Sequence, residues 1–438
     1  MISNKGINSR YVAYKALNSV EAGADLEGAI SALFSRAGLS TADRSLSYAI
    51  CMAALRNQVK IDYMIEAFCG SKRIDPEIRT ILRIGIVQSL FLERIPSHAV
   101  VATSVDLARK IGKSSAAGFV NAILRKMDGF SFQSIDFENE IERIFFETSI
   151  PRWLVERWVE RHGLDFAGAL AEASNLEPPL IIRANTRLVT VDELHNSLLD
   201  KQIPCFIDER FPEYILFENR LDPTNLPGFD DGLFSVQDPA FGVPVWILAP
   251  RPGERILEIG CAPGGKLSHL AEIAGGDIEL HGLDVSEERL ELTRQNLRRL
   301  RLEGDIILHL GDGRDLDIGG FDGILLDAPC TSLGVIRRHP EIRYRRDEED
   351  ITRMARLQSE LIRSALMSLN PGGRLVFCSC STEFEEGEGH FREIPEGFGL
   401  GKIVSGIPTE FFSGAFARTW PHLHGLDGAF SALVERSH

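Results

Sequence analysis

The residue types best suited to chemistry gather in the second half of this 438-residue chain: EIGCAPGGK (258–266), Asp284, Asp312, DAPCTSLGVIRRHPEIRY (327–344) and CSCST (378–382). A glycine-rich turn between a strand and a helix leaves main-chain N–H groups open to a ligand that must approach closely. This one is neither the GxGxxG of dinucleotide folds nor a phosphate loop, because Lys266 is followed by Leu267 rather than Ser or Thr. Asp284 lies 24 residues after Gly260, where an acid holds a ribose hydroxyl pair in doubly wound sheets. Asp312 and Asp327 follow two further strand-like runs, so three carboxylates should line the crevice at the strand C-termini. Cys330 and Cys380 each come just after such a strand, where two thiols can serve covalent chemistry. Cys378 reads as a small buried apolar residue.

Strands alternating with helices must carry these groups. Apolar runs predict strands at Arg255–Ile259, Ile278–Asp284, Ile306–Leu310, Gly323–Asp327 and Arg374–Cys378. Helices are predicted at Leu267–Ala274, from Ser286 as N-cap, and at Ile351–Leu369, with Asn370-Pro371-Gly372-Gly373 as a separating turn. That order gives a parallel, doubly wound α/β domain over 236–438. Residues 1–128 show helical periodicity throughout, with Asp75-Pro76 opening one helix and Ser97 able to cap the next. An all-α domain is expected there. Residues 129–235 are expected to hold a linker and a small α/β module, with strands near Leu180–Thr186, Cys205–Ile207 and Tyr214–Phe217 and helices at 150–163 and Asp192–Leu199.

Composition bounds the class. The net charge of −15 conceals an asymmetry: residues 1–128 carry 17 basic and 11 acidic side chains, and the remainder 31 and 52. A basic first third is compatible with a nucleic-acid partner. Seven cysteines spread over this length do not form a disulfide framework, and neither a secretory signal nor a run of about 18 apolar residues is present. A reducing, cytoplasmic location is expected, with no membrane partner. His422 and His424 lack further ligands for a metal, so no metal is expected.

The glycine turn, Asp284, the run 327–344 and the SCST of 379–382 together resemble the RNA cytosine-5 methyltransferases. RIPSHAVVATSVDLAR (94–109) and GFVNAILRK (118–126) look like the NusB-type RNA-binding domain that some members carry in front, FSVQDPA (234–240) like the lead into the methyltransferase domain, and DGAF (427–430) like its last strand. The resemblance implies methyl transfer from S-adenosylmethionine to C5 of a cytosine, with 16S ribosomal RNA as substrate and a monomeric enzyme. It implies that Gly260, Cys261, Ala262, Pro263, Gly264, Gly265 and Lys266 cradle the donor, with Asp284 on its ribose, Asp312 near its adenine and Asp327 beside it. C5 of cytosine is a poor nucleophile until a thiolate adds to C6, and a carboxyl group near N3, here Asp327, favours that addition. DNA cytosine-5 methyltransferases attack with a Pro-Cys like that at Cys330, whereas the RNA family uses the cysteine at the position of Cys380. The likeness therefore makes Cys380 the nucleophile and Cys330 the residue that assists product release, with Lys266 nearby. Ser379 and Cys378 depart from the family pattern, and so do Phe384 and Gly387 around the two matching glutamates, Glu385 and Glu386. Arg337, Arg338, His339, Arg343 and Tyr344 are expected to form a basic loop against RNA phosphates and bases. Two readings stay open: the same chemistry on transfer RNA or another RNA, and a non-catalytic RNA-binding assembly or transcription factor.

Overall fold

The computed structural model describes all residues except 1–4, 71–72, 93–94, 128–129, 131, 133–134, 219–220, 305, 404–407 and 414–415. Arg94 and Asp128, each used above to bound a segment, lie outside the described residues. The chain divides into two compact units, one of Met1–Asn175 with Arg338–Arg346, the other of Leu176–Arg337 with Asp347–His438.

The first unit is helical. Helices Lys5–Glu21, Leu26–Ala37, Thr41–Arg56, Gln58–Cys69, Pro76–Leu90, Ser97–Lys110 and Ala117–Lys126 surround one apolar core. Pro76–Leu90 runs through it, and Ile81, Leu82, Ile84, Ile86 and Val87 are completely buried. Asp75 caps that helix by accepting from the Glu77 amide at 3.0 Å, and Pro76 costs nothing at a position whose N–H would be unpaired. The next helix differs from expectation: Pro96 is its N-cap, with no side-chain cap bond, and Ser97 is its first helical residue. Helices Glu140–Thr148, Arg152–His162 and Leu164–Ala173 pack in this unit as well. Asn139 starts the first of them by accepting from the Glu142 amide at 2.9 Å.

The second unit carries the strands. β1 (Ile181–Ala184), β2 (Cys205–Asp208), β3 (Phe211–Phe217) and β4 (Phe234–Val236) form an antiparallel sheet in the order β2-β3-β1-β4. The helix Val191–Asp200 begins in a capping box between Thr190 and Glu193. A larger sheet then builds from β5 (Arg255–Ile259), β6 (Glu279–Asp284), β7 (Ile306–Leu310), β8 (Phe321–Asp327), β9 (Leu369–Ser379), β10 (Phe398–Leu400), β11 (Phe412–Ser413), β12 (Phe416–Thr419) and β13 (Ala429–Arg436). Its order among the described residues is β11-β12-β13-β9-β8-β5-β6-β7, with β10 paired to β13. The five strands from β9 to β7 in that order run parallel, while β13 joins β9 antiparallel. Leu267, Leu270, Leu290 and Leu297, from helices Gly265–Ala274 and Glu287–Arg299, pack in one core. Leu361, Ile362 and Ala365, from Glu348–Met367, pack in another. Asn370–Gly373 does not separate helix from strand. β9 already pairs at Leu369 with Phe321, and the register resumes at Arg374 with Gly323, so the run is an irregularity inside the strand.

Candidate active site

Three loops leave neighbouring strand C-termini and converge: 260–266 after β5, 328–335 after β8 and 380–387 after β9. Gly260 has φ +78°, and a Cβ there would collide with the carbonyl oxygen of Asp327, so the first two strand ends approach only because residue 260 is glycine. Gly334 does the same for the other pair. Its N–H donates to Cys380 O at 2.9 Å, its carbonyl accepts from Gly428 N at 2.9 Å, and a Cβ would strike Gly428 O.

Asp327, at the end of β8, accepts from Lys266 Nζ at 2.6 Å and from Cys378 Sγ at 3.5 Å. Burial pulls the Lys266 ammonium down, but Asp327, Cys378 and Glu258 more than offset it, so the lysine is held charged. Burial, and then Asp327, push the Cys378 thiol well above its usual range. Cys378 is thus more than a filler, since its weak S–H bond helps fix Asp327. Behind them Glu258 is buried, and burial pushes its carboxyl well up.

Cys330 and Cys380 meet with their sulfurs 3.0 Å apart. Their hydrogen bond pushes Cys330 well up, assisted by burial, and the same bond pulls Cys380 down. The Ser332 hydroxyl lies 3.5 Å from the Cys380 sulfur and also favours its thiolate. The two thiols are thus shifted in opposite directions across one contact.

In the glycine turn, Cys261 is buried and its thiol is pushed up by burial, which leaves it inert. The Asp284 carboxylate is almost completely buried at the end of β6 and accepts from Ala262 N at 3.4 Å and Ser286 N at 3.1 Å. Asp312 is half-exposed and bound to Arg314 at 2.6 Å, which holds its carboxyl low.

The basic run is where structure and expectation part. Arg337 is buried between two acids, Nε donating to Asp427 at 2.5 Å and Nη2 to Asp238 at 3.1 Å, with Nη1 on Gly425 O at 3.0 Å. Arg343 is buried in the first unit, donating to Thr148 O at 2.7 Å, Asn175 Oδ1 at 3.0 Å and Ser174 O at 3.4 Å. The Tyr344 hydroxyl donates to Leu55 O at 2.7 Å. A guanidinium enclosed by carbonyls and carboxylates has no face left for phosphate, so Arg337 and Arg343 are internal anchors, not RNA contacts. Arg338 and His339 are half-buried. Sequence reasoning also gave no role to Glu386, whose carboxylate bonds Thr331 and Ser381. The available signal was a hydroxyl residue directly after each cysteine.

Known proteins match this arrangement along the whole chain. The family described as 16S rRNA methyltransferase RsmB/F matches residues 245–435, the NusB family 7–128, and the ferredoxin-like domain of RsmF/B-like methyltransferases 150–223. The protein named ribosomal RNA small subunit methyltransferase B in Cronobacter sakazakii is 32% identical over 433 residues, covering 97% of this chain and 96% of its own. The chain belongs to the RsmB/F methyltransferase family. Among solved structures, PH0851 superimposes with a TM-score of 0.84 at 27% identity, covering 98% of this chain and 99% of its own. A methyltransferase homologue from Pyrococcus horikoshii gives 0.59 at 29% identity, over 68% of this chain and 100% of its own. Membership makes the chain an S-adenosylmethionine-dependent RNA methyltransferase with a NusB-like helical domain, a ferredoxin-like module and a Rossmann-like catalytic domain. The residues present fit that donor: a glycine-rich turn over the end of β5, and an acid at the end of β6 whose carboxylate is already oriented by two main-chain amides.

Proposed function

We propose that this enzyme methylates C5 of a cytosine in 16S ribosomal RNA through a covalent bond between Cys380 and C6 of the base, working in the cytoplasm. The observation that carries the reading is the thiol pair 3.0 Å apart with opposed pKa shifts. In this reading residues 260–266 cradle the donor, Asp284 receives its ribose hydroxyls and Asp312 faces its adenine. When bound, the donor supplies an electrophilic sulfonium methyl. The target cytosine leaves its stack, because C6 is reachable only from the face of the ring.

The Cys380 thiolate adds to C6, and the ring electrons move toward N3, which takes a proton shared with Asp327. Lys266, 2.6 Å from Asp327, replenishes that proton. The electron-rich C5 would then bond to the methyl carbon as that carbon's bond to the donor sulfur breaks, its electron pair staying on sulfur. Water takes the C5 proton, the freed pair re-forms the C5–C6 double bond, the C6–S bond breaks with its pair going back to Cys380, and N3 returns its proton to Asp327. Cys330 assists this elimination as the partner of the departing sulfur. RNA affinity comes from the helical domain, with its +6 over residues 1–128, and from Arg338 and His339.

The test is transfer of labelled methyl to protein-free 16S RNA and, separately, to transfer RNA, by wild type, Cys380→Ala and Cys330→Ala. We expect 5-methylcytosine in 16S RNA, no product from Cys380→Ala, and a denaturation-resistant protein–RNA adduct accumulating in Cys330→Ala. Activity kept by Cys380→Ala and lost by Cys330→Ala would reverse the two roles. Label in transfer RNA alone would replace the substrate, and tight RNA binding without methylation would remove the enzyme reading.

A further inference from the structure

Glu386 ends a short turn, Phe384–Glu386, and its side chain is completely enclosed. The contacts of its carboxylate tie two catalytic loops to the helix Glu348–Met367. Oε1 accepts from the Thr331 amide at 2.7 Å and from Gln358 Nε2 at 3.3 Å. Oε2 accepts from Ser381 Oγ at 2.5 Å and from the Thr331 hydroxyl. Its main-chain carbonyl accepts from Ser379 Oγ at 2.7 Å. Thr331 directly follows Cys330, and Ser381 directly follows Cys380. One carboxylate thus holds the residue after each thiol, on two loops that are 50 positions apart in sequence. Gln358 braces the arrangement from the helix Glu348–Met367: its Nε2 also donates to Pro329 O at 2.8 Å, and its Oε1 meets His390 Nε2 at 2.7 Å.

A buried carboxylate is costly to keep, and hydrogen bonds from a main-chain amide, an amide side chain and two hydroxyls are what make it tolerable. The same bonds fix the two loops relative to one another, because neither Thr331 nor Ser381 can move without leaving the carboxylate short of a donor. We propose that Glu386 is the positioning residue that sets the separation of Cys330 and Cys380 and thereby assigns which thiol is the nucleophile. Two effects act together. The geometric one keeps the Cys330 S–H on the Cys380 sulfur, which favours the Cys380 thiolate. The electrostatic one sets the negative charge of Glu386 against ionisation of Cys330. The other charged groups facing the pair are Asp327 and Lys266, with Glu383 beside Glu386. This inference rests on the two-thiol reading above, but thiol alkylation tests it without methyl transfer.

The experiment is iodoacetamide alkylation of the full-length, ligand-free protein across pH 6–10, read separately at Cys330 and Cys380 by peptide mass spectrometry. It uses wild type, Glu386→Gln, Ser381→Ala and Cys330→Ala. In wild type Cys380 reacts first. In Glu386→Gln we expect Cys380 to react about tenfold more slowly at pH 7 and its profile to move to higher pH, as in Cys330→Ala, while Cys330 becomes more reactive. Ser381→Ala removes one of the donors without changing a buried charge, so it shifts the profile in the same direction if Glu386→Gln fails to fold. In methyl-transfer assays the same variants should lower kcat by up to about 100-fold and leave KM for the methyl donor within twofold. Folded Glu386→Gln and Ser381→Ala proteins with wild-type alkylation profiles at both thiols would overturn the proposal. If wild type shows ordered thiol reactivity but transfers no methyl, the reaction reading fails and the positioning role stands.

Discussion

Replacing Arg337 separates the two accounts of the basic run most sharply. Its guanidinium is 6% exposed, and the acids on either side, Asp238 and Asp427, are 1% and 0% exposed. Arg337→Met keeps most of the apolar stem and removes the charge, leaving two buried carboxylates facing each other across the gap. Removing one partner of a buried ion pair costs about 3–5 kcal/mol, and like charges left together place this case toward the upper end. For a unit of this size each kcal/mol lowers the melting temperature by roughly 2–4 °C, so the transition of the second unit should fall by about 6–20 °C. Differential scanning calorimetry reads that transition, and filter binding of 16S RNA at two salt concentrations reads the alternative. If Arg337 were a phosphate contact, the variant would melt within about 1 kcal/mol of wild type, bind RNA more weakly, and lose roughly one unit of salt slope. That outcome would refute the burial argument.

Two further predictions follow from single side chains. Asp284→Asn keeps the shape but removes the charge that two amides orient, and the methyl donor should bind about tenfold more weakly by calorimetry, roughly 1.4 kcal/mol; unchanged affinity would move the ribose site elsewhere. His269 is 1% exposed, and burial pulls it down to about 4 against Glu213 at 3.0 Å. The unfolded chain therefore binds a proton that the native chain refuses between about pH 6.5 and 4, and stability falls through that window on acidification, by about 3 kcal/mol from this group. Urea unfolding at pH 7 and pH 4.5 checks it, since His269→Gln should flatten the slope and an unaltered slope would exclude His269 as its source.

The parallel strands were legible because each is a short, almost wholly apolar run closed by a turn signal: β5 and β7 match the expected bounds residue for residue. The charged helix ends were legible for the same local reason, as at Ser286, whose hydroxyl accepts from Arg289 N. What failed depends on partners far along the chain. Nothing near Arg337 announces Asp238, 99 residues before it, or Asp427, 90 residues after it, so a buried ion cluster reads as a solvated basic loop. Asn370–Gly373 carries every local mark of a turn, and only its pairing with β8 draws it into a strand. The thiols themselves could be picked out by type and position. Their 3.0 Å separation, and the glutamate behind it, could not, because a distance between loops is set by side chains that no local pattern links.

Residues 338–346 complete a unit whose other 175 residues are made first. On a ribosome working at about 5–20 residues per second, the helical unit waits roughly 10–30 s for its last nine residues to emerge. During that interval the carbonyls of Thr148 and Ser174 and the amide of Asn175 have no arginine to receive. The order of synthesis therefore leaves the first-made half of the protein unfinished until the segment just past Cys330 has been translated, and a nascent chain halted before that point should retain protease-sensitive helices at 140–173.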